Sequence, residues 1–181
     1  MIDGPGQGET RLFNKLYMEA DNEDALNAII EYMHKDDRFN KIGMIGYSFG
    51  GYLVARTAAV SEKLNACAIN GGSYNPKEIL NFLPHFTHVF AALTNKKEAS
   101  LDDFINNMTM DGYAEKIICP LLLNHGKPDP IFSVEGIQRI YNEAPAKHKT
   151  IKIWEDGNHC VTNHSTEVIT MICDWFKEIL S

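Results

Sequence analysis

A short glycine-rich turn, Gly46-Tyr-Ser-Phe-Gly50, constrains the fold of this chain more than any other feature. It follows an apolar run over residues 41–47 that is typical of a buried strand, and it precedes a segment, residues 49–60, with apolar side chains at helical spacing. A G-x-S-x-G turn between a strand and a helix is sharp and strained, and the glycines two residues before and after the serine leave room for the two elements to approach. The pattern predicts that Ser48 projects above a sheet, beside the backbone N–H of Phe49, which can hold an oxyanion.

The same alternation of apolar runs and amphipathic segments continues along the chain. Apolar runs predict strands over residues 41–47, 64–70, 116–124 and 150–154. Apolar residues three and four positions apart predict helices over residues 22–34, 49–60, 133–143 and 165–180. Ser133 is the expected cap of the third helix, and Asp21 or Asn22 that of the first. Strands that alternate with helices form a mostly parallel sheet flanked by helices, so the predicted fold class is α/β.

The chain length of 181 residues predicts one domain, residues 1–181. One segment breaks the alternation, because the 40 residues between positions 73 and 112 are too many for a single crossover. We expect residues 73–112 to be a small helical insertion that acts as a lid. Its short helical patterns lie at residues 76–83, 85–93 and 101–110.

The composition is that of an ordinary globular domain, with 44% apolar and 23% charged residues. The net charge of −7 argues against nucleic acids or anionic membranes as partners, and no apolar run approaches the roughly 20 residues of a membrane span. Residues 1–8 lack the basic and apolar segments of a signal peptide. Four scattered cysteines form no C-x-x-C pair and predict reduced thiols in a cytoplasmic protein: Cys67, Cys119, Cys160 and Cys173.

A serine nucleophile needs a general base and an acid that orients the base. In a sheet with this serine turn, the partners follow in the order acid and then histidine, each at the carboxyl end of a strand. Asp129 lies in the loop after the third predicted strand, and His159 lies in the loop after the fourth. The sequence therefore predicts Ser48 as the nucleophile, Asp129 as the orienting acid and His159 as the general base.

Other residues compete less well for these roles. Asp156 precedes His159 by only three residues and would have to fold back onto the ring, and Asp129 between two prolines also fits a simple turn former. His125 shares the loop of the expected acid, which favours a structural role. The other histidines have no strand-end context and are expected to be ordinary surface or capped residues: His34, His85, His88, His148 and His164.

No cofactor or metal site is expected. Residues 3–8 (DGPGQG) are rich in glycine, but they lack the G-K-[ST] ending of a phosphate loop, and Glu9 stands where G-x-G-x-x-G requires glycine. His159, Cys160 and His164 lie close together in sequence without a known ligand spacing.

Four sequence motifs resemble those of proteins with the α/β-hydrolase fold. Within that fold they are most similar to the esterase group that includes the fermentation–respiration switch protein and dihydropseudooxynicotine hydrolase. Fungal polyketide-shortening hydrolases are similar too. The motifs are DGPGQGE at residues 3–9, GYSFGGY at 46–52, HGKPD at 125–129 and EDGNHCVTN at 155–163. The resemblance implies cleavage of an ester, or of a C–C bond next to a ketone, by a Ser–Asp–His triad without a metal. Matched onto this chain, that triad also falls on Ser48, Asp129 and His159.

The position of DGPGQGE departs from the family pattern, in which this phrase follows the fourth strand, whereas here it begins at residue 3. The chain therefore resembles the C-terminal part of a longer hydrolase. Without a third strand beside it, the strand at residues 41–47 is expected to be an exposed apolar edge through which copies of the chain associate. A second oxyanion donor would also be missing, and losing one such donor costs about 10²–10³ in rate.

Three functional hypotheses remain open. The first is a serine hydrolase that acts on a small ester or ketone through an acyl-enzyme, and the second is an inactive remnant or association module. The third, a peptidase of the prolyl-oligopeptidase type, shares G-x-S-x-G-G but is disfavoured by the short lid and the lack of a propeller. An apolar lid face suggests an apolar substrate, although simple lid packing explains the same side chains better: Phe82, Phe86, Phe90 and Phe104.

Overall fold

Four short apolar runs form one parallel sheet in the computed structural model, which describes residues 2–181 and leaves Met1 of the predicted domain outside its description. The strands, in the spatial order in which they also follow in sequence, are β1 (Gly43–Tyr47), β2 (Ala66–Asn70), β3 (Leu121–Gly126) and β4 (Lys149–Trp154). All three neighbouring pairs are parallel. The α/β class predicted from the alternation is confirmed.

Two helices precede the first strand, and the others connect the strands or follow the last one. They are α1 (Gly8–Leu12), α2 (Asn22–Met33), α3 (Phe49–Val60), α4 (Ile79–Phe82), α5 (Phe86–Thr94), α6 (Asp102–Asn106), α7 (Val134–Glu143) and α8 (Ser165–Leu180). The four predicted long helices begin and end within one residue of the observed ones. Ser133 caps α7 by accepting the Gly136 N–H at 3.3 Å, as expected, whereas the expected side-chain cap of α2 is wrong because Asp21 at the cap position accepts no helix N–H.

The two faces of the sheet bury alternate residues of each strand, as a pleated backbone requires. On one face, Leu121 and Leu123 pack with residues of α2, α3 and α7 in the larger core. On the other face, Leu122 packs with Val168 and Ile172 of α8. Strand β3 is buried along its whole length, because it lies between β2 and β4 and is covered on both faces.

The third strand starts later than predicted and ends later. A single 3-10 turn (Ala114–Lys116) occupies the start of the expected strand, and Pro120, which has no N–H to donate to a ladder, comes immediately before β3. The strand then continues to Gly126. A Cβ there would lie 1.9 Å from the carbonyl oxygen of Gly157, so only glycine allows the strand end to touch the loop after β4.

Strand β1 lies at the edge of the sheet. The prediction of a buried strand is wrong for most of its residues, since only Gly46 is buried, while the expectation of an exposed edge agrees with the structure. Ile45 is 41% exposed and Tyr47 is 44% exposed. A groove of about 580 Å³ runs along this edge and reaches Ile2 at the start of the described chain.

The segment at residues 73–112 contains α4, α5 and α6, with one 3-10 turn (Pro76–Glu78) directly before α4 and another (Glu98–Ser100) between α5 and α6. Phe90 and Phe104 are buried in the same core as the sheet, and Phe82 is half exposed. Most of this segment therefore packs as part of the domain. Within residues 2–181, no helix combines the length and the apolar character that crossing a membrane requires.

Candidate active site

The serine turn joins β1 to α3 through a strained residue. Ser48 has φ 54° and ψ −126°, a conformation that residues with a side chain adopt only where the surroundings enforce it. Its N–H donates to the carbonyl oxygen of Asn70 at 3.0 Å, and its own carbonyl accepts from Gly51 at 2.9 Å. These bonds hold the turn between the end of β2 and the first turn of α3.

The glycines of the motif differ in how closely other backbone atoms approach them. A Cβ on Gly46 would lie 2.1 Å from the carbonyl oxygen of Gly50, so the close approach expected at this position is confirmed. A Cβ on Gly50 would meet nothing within 4 Å, and the same expectation is wrong there. The next residue takes that role, because a Cβ on Gly51 would lie 2.9 Å from the Cα of Gly72.

Three side chains from three strand ends meet above the sheet. His159 Nε2 lies 2.7 Å from Ser48 Oγ, and His159 Nδ1 lies 2.8 Å from Asp129 Oδ2. Because an ionised carboxylate can only accept, Nδ1 carries the proton and donates it to Asp129. Nε2 of the neutral ring is then free to accept the hydroxyl proton of Ser48. The structure thus brings together all three residues that the sequence predicted.

The acid is buried in its loop and held by the backbone. Asp129 Oδ1 accepts the N–H groups of Ile131 at 2.8 Å and Phe132 at 3.3 Å, and the side chain is fully buried. Burial acts to raise the pKa of Asp129, but the hydrogen bond from His159 and the two backbone N–H groups outweigh it, and the pKa falls below its usual value. Asp129 is therefore a carboxylate at neutral pH.

The histidine keeps limited contact with solvent. Its side chain is 23% exposed, and the Phe132 ring packs edge-on against it with centroids 5.6 Å apart. Burial acts to lower the pKa of His159, but the hydrogen bond to Asp129 and the nearby Cys160 outweigh it and raise the pKa to about 9. The neutral ring, which is the form that can accept the Ser48 proton, is therefore favoured as the pH rises toward 9.

The loop that carries the histidine has an unusual backbone. Cys160 and Val161, which follow His159, have φ values of 56° and 52°. Left-handed backbone is rare in a β-branched residue such as Val161, so neighbouring groups must hold it. The Asn70 amide donates to the carbonyl oxygen of Cys160 at 2.8 Å. Sequence reasoning missed Asn70, although an asparagine followed by two glycines at a strand end is a visible signal.

The competing residues have other partners. Asp156 accepts from His164 Nε2 at 2.9 Å, so it is not the acid of the site. His125 is buried, donates through Nε2 to the carbonyl oxygen of Phe132 at 3.0 Å, and lies 3.7 Å from the Asp129 carboxylate, in accord with the structural role predicted for it. Burial lowers the pKa of His125, which keeps this neighbour of the acid neutral.

Phe49, the expected oxyanion donor, is the first residue of α3. The first N–H groups of a helix have no partner within it and carry the positive end of the helix dipole. The Phe49 ring packs against Tyr52, with centroids 5.8 Å apart, and against Phe90 at 6.2 Å. Within residues 2–181, no three His, Cys, Asp or Glu side chains are grouped so that they could hold a metal ion.

Comparison with known proteins gives matches along the whole chain. A family model described as serine aminopeptidase, S33, matches residues 107–166, a stretch that contains Asp129 and His159. The chain is 27% identical over 185 residues to the 2,6-dihydropseudooxynicotine hydrolase of Paenarthrobacter nicotinovorans. This match covers 99% of the chain and 49% of the relative.

Solved structures of hydrolases share the fold. A 2,6-dihydroxy-pseudo-oxynicotine hydrolase matches with a TM-score of 0.87 and 24% identity, over 98% of the chain and 51% of that protein. A Pyrococcus furiosus esterase matches with a TM-score of 0.67 and 18% identity, over 88% and 62%. The chain spans about half the length of the first of these relatives. The parallel sheet, the serine turn after its edge strand and these structural matches show that the chain has the fold of the α/β-hydrolases.

Proposed function

We propose that this chain carries the nucleophile, base and acid of a serine hydrolase that cleaves a small carboxylic ester or a C–C bond next to a ketone. The observation that carries the proposal is the hydrogen-bonded series from Ser48 through His159 to Asp129. Nucleophile and base within hydrogen-bond reach, with the base oriented by a third group, are the signature of nucleophilic catalysis. The similarity to proteins named hydrolase and esterase supports the same reaction class.

The geometry leads to a two-step reaction. In the first step Ser48 Oγ attacks the substrate carbonyl carbon while His159 Nε2 takes the hydroxyl proton, and Asp129 stabilises the imidazolium. The Phe49 N–H binds the developing oxyanion. His159 then gives its proton to the leaving group, which departs and leaves an acyl ester on Ser48. In the second step His159 takes a proton from water and the hydroxide attacks the acyl carbon; His159 then returns the proton to Ser48 Oγ as the bond between that oxygen and the acyl carbon breaks, and the carboxylic acid is released.

An ester and a ketone substrate differ only in the leaving group. An ester releases an alcohol, whose oxygen accepts the proton from His159. A β-diketone releases a carbon group as its enol, after the same residue supplies the proton. The triad geometry serves both reactions, so both substrate classes belong to the proposal.

The aromatic side chains beside the nucleophile favour an apolar substrate. Phe49 adjoins Ser48, its ring contacts Phe90, and Phe90 in turn contacts Phe86 with centroids 6.3 Å apart. Phe86 is only partly buried, and it belongs to the segment at residues 73–112. We infer that this segment covers the site as a lid and presents the partly exposed Phe86 ring to the substrate.

The exposed strand edge favours a second candidate function, association with another copy of the chain. Along β1, residues that bond to β2 alternate with residues whose N–H and C=O groups point to the open side of the strand. The residues of this second set are Gly43, Ile45 and Tyr47. An edge strand without charged side chains is a template for pairing with another strand. In this candidate the chain is an association module, and the triad is idle.

Labelling with a fluorophosphonate probe, read by intact mass, tests the proposed hydrolase. The proposal expects one adduct on the wild-type chain and none on Ser48→Ala. Ser181→Ala, which alters an exposed terminal serine, is the matched control and should label like the wild type. A folded wild-type chain that takes up no label, or a Ser48→Ala variant that still does, contradicts the proposal and leaves the association module.

A further inference from the structure

Asn70, the last residue of β2, contacts both the nucleophile turn and the histidine loop. Its main-chain carbonyl accepts the Ser48 N–H at 3.0 Å. Its side-chain Nδ2 donates to the carbonyl oxygen of Cys160 at 2.8 Å. The residue is 0% exposed, so these two bonds form away from water. One buried asparagine therefore links the backbone at Ser48 to the residue that follows His159.

The histidine loop needs such support because its backbone is strained. Left-handed residues with side chains are strained, and they persist only where the surroundings fix them. Cys160 and Val161 are two in succession. The Val161 N–H donates to the Asn158 carbonyl at 2.8 Å, which closes the turn locally but does not tie it to the sheet.

The end of β2 also presses on this loop. Gly71 has φ 63°, and a Cβ there would lie 2.7 Å from the Cα of Cys160. The loop therefore lies directly on the backbone of residue 71, and the Asn70 side chain beside it supplies the only directional bond from β2 to the Cys160 carbonyl among the described residues. The contact with Gly71 fixes how closely the histidine loop approaches β2, and the bond from Asn70 fixes the direction of the Cys160 carbonyl.

A contribution to the stability of the fold does not by itself explain an amide side chain at position 70. Among the described residues, its Oδ1 has no hydrogen-bond partner. A buried polar atom without a partner is destabilising, whereas an apolar side chain of the same shape would carry no such penalty. In the described part of the chain, Asn124 beside it also has an unpartnered Nδ2, so what distinguishes Asn70 is that its amide bonds to the histidine loop.

We propose that Asn70 is a positioning residue that sets the distance between Ser48 and His159. Its main chain holds the turn of the nucleophile, and its side chain holds the strained loop of the base. This inference rests on the proposed hydrolase function, because positioning has a measurable consequence only if Ser48 is activated by His159. Asn70 itself touches neither the substrate nor the reacting atoms.

The test compares Asn70→Leu and Asn70→Asp with variants of a matched control residue. Both substitutions keep the approximate shape of the side chain and remove the donor to Cys160. Asn124 is the control, since it is the register partner of Asn70 on β3, is equally buried, and has a single side-chain bond, from Trp154 Nε1 at 3.4 Å. Its side chain does not bond to the histidine loop.

The measured quantity is the second-order rate of Ser48 modification by the fluorophosphonate probe as a function of pH. A displacement of about 1 Å between reacting groups costs about 10²-fold, so both Asn70 variants should label about 100 times more slowly than the wild type. In Asn70→Leu, which adds no charge, the midpoint of the pH–rate profile should also move toward neutrality, because a loosened His159 loses part of its bond to Asp129. Asn124→Leu should keep the wild-type rate and midpoint at a similar loss of thermal stability.

The possible results distinguish the proposed hydrolase function from the positioning role of Asn70. No labelling of the wild type rejects the proposed function, whereas a wild type that labels and a folded Asn70→Leu with the same rate and midpoint reject only the positioning role. A slower rate with an unmoved midpoint, or equal slowing in Asn124→Leu, makes Asn70 an ordinary structural residue. If both Asn70 variants fail to fold while Asn124→Leu folds, the positioning role is likewise overturned.

Discussion

Replacing Gly46 by alanine should separate the nucleophile strand from its helix. The added Cβ would lie 2.1 Å from the carbonyl oxygen of Gly50 and 2.4 Å from its carbonyl carbon, whereas ordinary contacts begin at 3.4 Å. Both atoms belong to backbone, so no side chain can rotate away to relieve the clash. The end of β1 and the start of α3 must therefore move apart, and Ser48, which lies between them, moves with them.

The expected magnitude follows from the cost of such a clash. Overpacking at a rigid contact costs about 1–3 kcal/mol, and for a domain of this size each kcal/mol lowers the melting temperature by about 2–4 °C. Gly46→Ala should therefore melt about 2–12 °C below the wild type. A shift of Ser48 by about 1 Å should also slow fluorophosphonate labelling by about 10²-fold.

Gly50→Ala is the matched control, because it makes the same chemical change in the same motif. Its Cβ would meet nothing within 4 Å, and Gly50 lies near the start of α3 with an ordinary backbone conformation. Alanine in a helix is favoured over glycine by about 0.4–1 kcal/mol, so Gly50→Ala should melt no lower than the wild type. Differential scanning calorimetry measures both variants. If the two variants melt at the same temperature, or if Gly46→Ala labels at the wild-type rate, the contact between Gly46 and Gly50 is not rigid and the prediction is refuted.

Four further changes have expected outcomes. Asp129→Asn should slow Ser48 labelling by about 10⁴-fold, since the ring loses its orienting carboxylate; labelling within tenfold of wild type would contradict the assignment. The pKa of His159 is raised from 6.5 to about 9 on folding, so its stabilising contribution is complete below pH 6.5 and lost as the pH rises through 9; melting curves of the wild type and His159→Gln should converge across that range. Arg56→Met should cost about 3–5 kcal/mol in urea unfolding, because it leaves the buried carboxylate of Glu23 unpaired, whereas loss of a surface ion pair would cost under 1 kcal/mol. Ile45→Lys should abolish any dimer seen by sedimentation of the wild type, since a charge on an edge strand blocks pairing, and a dimer that survives it does not use β1.

The sheet and the meeting of Ser48, His159 and Asp129 could be predicted because both depend on local signals and on chain order. Apolar runs bounded by turn residues marked the strands, and the spacing of apolar residues marked the helices to within one residue. Ser48, Asp129 and His159 each follow a strand in a parallel sheet. Carboxyl ends of parallel strands lie at the same edge, so the sequence order alone was enough to bring the three side chains together.

Features that depend on contacts between distant segments could not be predicted in this way. The motif contains Gly46 and Gly50 at symmetrical positions, yet only the approach of strand and helix in space decides which one lacks room for a side chain. The left-handed backbone of Cys160 and Val161 contradicts local propensity, since β-branched residues avoid it. It is stabilised by Asn70, which lies 90 residues away in sequence.

Ser48 therefore directly follows an edge strand of the sheet, and this connects the two candidate functions. Ser48 is held by β2 on one side and by α3 above, while the other side of β1 is open. A strand that paired with Gly43, Ile45 and Tyr47 would satisfy the outward N–H and C=O groups and restrain the turn that carries Ser48. Association at this edge should then increase the reactivity of the serine rather than replace it. If labelling of Ser48 becomes faster per chain as the protein concentration rises, and Ile45→Lys removes that dependence, the edge and the triad act as one unit.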